Sequence, residues 1–260
     1  MTDFFGFCLV IKKFLFYTSV FLMGLGCFLV ATLPANFVWQ SLLSPQINTR
    51  AMGLEVVSVD GTVWEGRALI SYKSVSSIID WNISVMDALS LSLPIEINVD
   101  SEIGKAQLFA SIGLSQSSLE IVKADVDVSK LSPIFQRQRV VLDGDLLVKN
   151  LRVNINEQKI SSASGLASWS GGNIAYPVGR QLHERNLPSF RAELSSSAEG
   201  SVQIGVRDAD AKFNVVDLNL DAEGEVMLKV TRRLLDISNE AWPKNSREQD
   251  VVFKVKKMIY

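Results

Sequence analysis

The chain reads as a mainly β protein carried behind a single N-terminal transmembrane helix. Three observations point there: a stretch of 20 residues without a charge near the start, period-2 alternation of apolar and polar residues over most of the remainder, and turn signals between the alternating runs. Each run is apolar on one side and polar on the other, as in antiparallel strands whose one face is wet. Changes of phase within runs point to bulges and hence to a long, curved antiparallel sheet.

The charge-free stretch runs from Phe14 to Leu33. As a helix it rises about 30 Å, the hydrocarbon thickness of a bilayer. Seven of the 13 Phe and both cysteines, Cys8 and Cys27, lie within the first 33 residues. Lys12 and Lys13 precede the span, so the positive-inside rule holds the N-terminus in the cytoplasm. A cleaved signal peptide is the competing reading. Its apolar region would run about 7–15 residues, and Ala31-Thr32-Leu33 is a poor small-x-small cleavage site. The expected organisation is a cytoplasmic N-terminus over 1–13, a transmembrane anchor over 14–33, a linker with a short helix over 34–50 and an exported β domain over 51–260. In a bacterium that means a single-pass inner-membrane protein with its C-terminal domain in the periplasm.

Strands follow in order. Ile95, Ile97 and Val99 alternate with Glu96, Asn98 and Asp100; Leu151, Val153 and Ile155 alternate with Arg152, Asn154 and Asn156. Val202, Ile204 and Val206, then Val226, Leu228 and Val230, and finally Val251, Phe253 and Val255 repeat the pattern. Turns are expected at Val59-Asp60-Gly61, Glu102-Ile103-Gly104, Ser196 to Gly200 and Ala222-Glu223-Gly224. The apolar set changes face near Asn150 and again at Val215-Val216, and both places predict bulges. Helices are expected only over Ala35 to Leu43 and Arg232 to Ala241. Pro177 to Pro188 reads as a polar loop, and Lys254, Lys256 and Lys257 read as guards on an edge strand.

Composition excludes most chemistry. With 26 Lys plus Arg against 28 Asp plus Glu, the chain lacks the basic surplus of a nucleic-acid binder. One His and two Cys do not make a zinc centre of those ligands. His183, with Glu184 and Ser189 nearby, has no nucleophile elbow and reads as a solvated loop residue. Asp208, Asp210, Asp217 and Asp221 lack a calcium-loop spacing, and Asp208-Ala209-Asp210 reads as a hairpin turn. Glu65 and Arg67, two apart on one strand, suit a surface ion pair. No catalytic residue, cofactor or metal is expected.

One group of residues carries a resemblance. After the anchor come Val59-Asp60-Gly61-Thr62-Val63-Trp64-Glu65-Gly66-Arg67-Ala68, then Asp80-Trp81-Asn82-Ile83, Leu142-Asp143-Gly144-Asp145-Leu146, and Ala163-Ser164-Gly165-Leu166-Ala167-Ser168-Trp169-Ser170-Gly171-Gly172. Gly224-Glu225-Val226 leads on to Arg232-Arg233-Leu234-Leu235. In this order the motifs resemble protein N of the bacterial type II secretion system, from Phe14 to about Leu235. Gly61, Trp64, Gly66, Trp81, Gly165, Trp169 and Gly171 are the motif residues. Their tryptophans read as core packing rather than an exposed docking surface.

The resemblance implies a non-catalytic inner-membrane accessory component of the secretion machinery. Its periplasmic β domain would contact other type II secretion components, the inner-membrane platform proteins first and the secretin as a further candidate. The fold is also similar to AsmA-like envelope proteins. That likeness supplies the alternative, a β-groove that binds lipid or another hydrophobic ligand. The discriminating feature is whether the apolar face is covered.

Overall fold

The computed structural model describes residues 3–46, 53–73, 75–84, 92–113, 115–135, 139–156, 159–178, 181–197, 200–210, 212–221, 223–240 and 245–258, with side chains for all of these except 3–13, 15 and 178. Residues 47–50 of the expected linker, the turn residues Ala198, Glu199 and Ala222, and Ala241 lie outside the described residues.

Helix α1 runs over Asp3–Ala31, and its described apolar side chains, among them Phe16, Phe21 and Phe28, are exposed. Lys12 and Lys13 fall on this helix, with side chains outside the described set. Among the described residues no helix is long and apolar enough to cross a membrane. A short helix α2 (Ala35–Val38) and a π-helical turn (Trp39–Leu43) follow, where a short helix is expected.

Among the described residues the body is one antiparallel sheet of 13 strands with a small sheet of three. Strands β1 (Leu54–Gly61), β2 (Glu65–Tyr72), β3 (Val75–Ile83), β4 (Ser92–Ser101), β5 (Gly104–Gly113) and β6 (Gln116–Asp127) pair in chain order. A 3-10 turn (Val128–Leu131), helix α3 (Ser132–Phe135) and the two-residue β7 (Val141–Leu142) then leave the sheet. The chain returns as β8 (Asp145–Asn156) and β9 (Lys159–Trp169), and leaves again as the hairpin β10 (Gly172–Val178) and β11 (Gln181–Leu187). It re-enters with β12 (Phe190–Ser196) against β9, followed by β13 (Val202–Asp208), β14 (Val216–Leu220), β15 (Glu225–Thr231), helix α4 (Arg232–Ile237) and β16 (Val251–Met258). The small sheet is ordered β11-β10-β7. β1 and β16 are the two edges of the large sheet, so it is open, and the three expected lysines do lie on an edge strand.

The expected bulge at Asn150 is present. Asn150 adopts φ 49°, and the β8–β9 register shifts between Lys149 and Arg152. Further shifts interrupt β1–β2 after Val56 and β5–β6 after Gln107, which adds twist near mid-strand.

Four expectations are corrected. Of the segment 177–188, the described residues Pro177, Val178 and Gln181–Leu187 are strand rather than loop. It pairs through β10 and β11, and its inward positions are His183, Arg185 and Leu187, so polar side chains occupy places where apolar ones would have revealed the period. Helix α4 stops at Ile237, short of Ala241. The phase change at Val215 is a junction and not a bulge: Val215 is fully buried, its N–H donates to Val206 O at 2.7 Å, and its carbonyl accepts from Thr231 N at 3.0 Å. Asp208 is no turn residue, because it ends β13 buried against Arg233.

A one-sided apolar sheet as the candidate functional surface

Registered partners in a sheet point to the same face, so the pairing can be followed across the molecule. Val59, Ala68, Ile79, Val99, Ala106, Ala124, Val148, Ala167, Ala192, Val206, Val216, Val230 and Phe253 form one row, each the partner of the next. Every position through all 13 strands is apolar. At a strand spacing of about 4.8 Å the row extends roughly 58 Å. A second row runs Gly61, Gly66, Trp81, Ile97, Leu108, Ile121 and Leu151, and resumes beyond the β8 bulge as Gly165, Leu194, Ile204, Leu218, Leu228 and Val255.

The opposite face holds the cross-strand charges. Arg67 Nε pairs with Asp80 at 2.6 Å, Lys105 with Asp100 at 2.8 Å, Arg152 with Glu120 at 2.6 Å, Arg207 with Glu193 at 2.7 Å and Lys256 with Glu225 at 2.6 Å. The Arg67 guanidinium, through its hydrogen bond first, holds the Asp80 carboxyl below the usual carboxylate range. The expected Glu65–Arg67 pair is therefore replaced by a cross-strand one, since Asp80 faces Arg67 directly in register.

This apolar face is incompletely covered. The accessible surface is 18042 Å², against about 11,300 Å² for a compact monomer of 28.7 kDa. The exposed α1 supplies part of the excess, and the open sheet supplies more. Ala163 of β9 and Val202 of β13 are buried nearer one margin, while burial is heaviest at the other, where β6 ends and β8, β12 and β14 begin. Val75, Val128, Val215, Asp208 and Thr231 are buried there, close to the departure of the small sheet and the two short helices. Tyr176 of β10 donates to Glu240 at 2.8 Å, and Arg185 of β11 donates to Ser238 O at 2.7 Å and to Glu240 at 3.2 Å, which straps the small sheet to the segment after α4.

The motif residues occupy two places in this frame. Gly61, Trp64, Gly66 and Trp81 build the β1–β2 turn. Gly61 has φ +90°, and a Cβ there would stand 2.6 Å from Glu65 O. Gly66 leaves room for the Trp81 indole, which crosses it and donates to Val63 O at 3.1 Å. Trp64 lies in the bend rather than in a strand and donates to Val30 O of α1 at 2.8 Å. Trp169 ends β9 at the opposite margin, donates to Asp143 O at 2.9 Å and stacks on Phe190 with centroids 5.9 Å apart. Gly165 passes close over Leu151, and Gly171, at φ +84°, turns the chain into β10. All three indoles are half-buried.

The tie to α1 was not visible in the sequence. Besides Trp64, Val63 N donates to Leu33 O at 3.0 Å, and Pro34 bridges to Thr62. Of these, the Trp64 bond reaches a carbonyl in the last turn of α1, where a helix C-terminus leaves acceptors open, and the other two hold the residues just after the helix. Among the described residues no cluster of three or more His, Cys, Asp or Glu could hold a metal ion. His183 stands half-buried, 3.8 Å from Glu240, in no arrangement with a nucleophile.

A model of the family described as type II secretion system (T2SS), protein N matches residues 52–244. No curated protein and no solved structure matches the chain.

Proposed function

This chain belongs to the type II secretion system protein N family, and we propose from that premise that it is a non-catalytic accessory component of the secretion machinery, held in the inner membrane by residues 14–33. Its N-terminus is cytoplasmic, and the β domain over 51–260 works in the periplasm through contacts with other secretion components, the platform proteins first and the secretin second. The anchor is supported by the charge-free stretch, the preceding Lys12 and Lys13, and the exposed apolar surface of α1. Contact is supported by an open sheet that offers two edge strands and a charged face. Photo-cross-linking from β16 and from the polar face in intact membranes tests this reading. Adducts with platform proteins or the secretin are expected, and a complete absence of secretion components among the adducts refutes it.

The row of 13 apolar positions favours a second reading: the open face binds acyl chains. Burying aliphatic surface is favourable at roughly 25 cal/mol per Å², and the face carries an aliphatic row across the large sheet. Native mass spectrometry of the full chain extracted from membranes should retain bound lipid. Release of lipid-free protein alone refutes this reading.

A further inference from the structure

A cleft of about 490 Å³ lies on the charged face, over β8, β9, β12 and β13. Leu147 and Leu166 give it an apolar lining, and Leu166 is 56% exposed although it stands between Lys149 and Glu193 in register. Around these leucines the charges do not alternate as they do at Arg67–Asp80 or Lys105–Asp100. Lys149 is the partner of Lys123, and Arg191 is the partner of Arg207. Like charges set opposite one another destabilise a sheet. Asp125 stands 3.8 Å from Lys123, and Glu193 stands 2.7 Å from Arg207. The side chains of Lys149 and Arg191 are exposed and have no ion pair or hydrogen bond among the described residues. Asp208 does not serve them, because its carboxylate is buried against Arg233 on the other face. An exposed leucine therefore sits between two uncompensated cations.

Resting on the contact reading above, we propose that this cleft docks an extended acidic segment of another secretion component. An apolar side chain of that segment sits on Leu166, with one carboxylate toward Lys149 and another toward Arg191. Spacing selects a polypeptide over a single anionic group. Lys149 and Arg191 stand two strands apart and two residues along, which separates their Cα atoms by about 12 Å. An extended chain covers that distance in about four residues. A lone phosphate would draw both long side chains inward over the leucine and set charge against its aliphatic surface. A segment with carboxylates on either side of an apolar residue meets each group where it stands. Leu166 then supplies the desolvated centre of the contact, and the cations supply the rim that steers and registers it.

The test places a photo-reactive phenylalanine analogue at Leu166 of the full chain in its native membrane and sequences the cross-linked peptide by mass spectrometry. The expected adduct is a secretion component, joined through a peptide with carboxylates on both sides of an apolar residue. Lys149→Glu with Arg191→Glu should lower its yield by at least ~10-fold, since like charges then face each other across the contact. Lys229→Glu with Lys254→Glu, the same change of charge on the same face but outside the cleft, should leave the yield unchanged. The peptide sequence is read from a chain with both cations intact, so it decides the matter even where the charge-reversed variant fails to fold. A secretion-component adduct that lacks the carboxylates, survives in a folded Lys149→Glu/Arg191→Glu chain, or falls equally with the outside pair refutes the docking site while the contact reading stands. Capture of lipid alone, or of a second copy alone, at Leu166 overturns the choice of occupant. If neither Leu166 nor β16 captures any secretion component, the docking site and the contact reading both fall.

Discussion

Replacing Arg233 with methionine removes the partner of the one carboxylate on the apolar side of β13. Asp208 is the registered partner of Phe190, on the same face as Val202, Ile204 and Val206, and its side chain is 3% exposed. One carboxylate oxygen accepts from Arg233 Nη2 at 2.9 Å, and the other is buried with no partner. Without Arg233 the charge stays buried against apolar neighbours, and breaking such a pair costs about 3 kcal/mol. Replacing both members with apolar residues of similar volume, Asp208→Leu with Arg233→Met, should be close to neutral by the same reasoning. Equilibrium urea unfolding of the full chain in detergent can follow this through Trp169, which stacks on Phe190 beside the pair. The expected pattern is a large loss in Arg233→Met and recovery in the double variant. A single-variant loss under ~1 kcal/mol, or a double variant as unstable as the single, refutes the view of Asp208 as a buried charge held by one partner.

Three further outcomes are expected. Gly66→Ala places a methyl where the Trp81 ring lies and 2.6 Å from Asp60 O, so it should displace the indole, cost about 1–3 kcal/mol and red-shift the Trp emission. Trp64→Phe removes the donor to Val30 O, worth about 1 kcal/mol, and should speed amide exchange in residues 61–66 while leaving the margin around Trp169 unchanged. The Tyr176 hydroxyl, and then Arg185, hold the Glu240 carboxyl below its ordinary range. A depressed acid contributes stability above its unfolded pKa and loses it as pH falls through the folded value, so β10 and β11 should lose amide-exchange protection, taken relative to the intrinsic rate at each pH, as pH falls, a dependence that Glu240→Gln should flatten.

Much of the sheet was legible because its strands are wet on one side. Runs such as Ile95-Ile97-Val99 and Val202-Ile204-Val206 announce themselves by period, and the bulge at Asn150 shows as a change of phase. The hairpin β10–β11 was hidden because its inward side chains, His183 and Arg185, are polar and meet their partners, Glu240 and Ser238, only through folding. Asp208 could have been found: counting in twos from Val202 puts it on the apolar face, where a carboxylate needs a cation. Its cation, Arg233, is 25 residues away and could not be guessed.

Of the candidate surface, the sequence alone determined that each strand has one apolar side, since alternation is a property of single strands. Only the tertiary structure decided that all 13 strands turn that side the same way, because register and strand order are relations between distant segments. It also decided which positions of that face are buried, and that α1 ends against the β1–β2 turn through Trp64. Local periodicity depends on backbone geometry alone, whereas coverage of a face depends on contacts that no local pattern encodes.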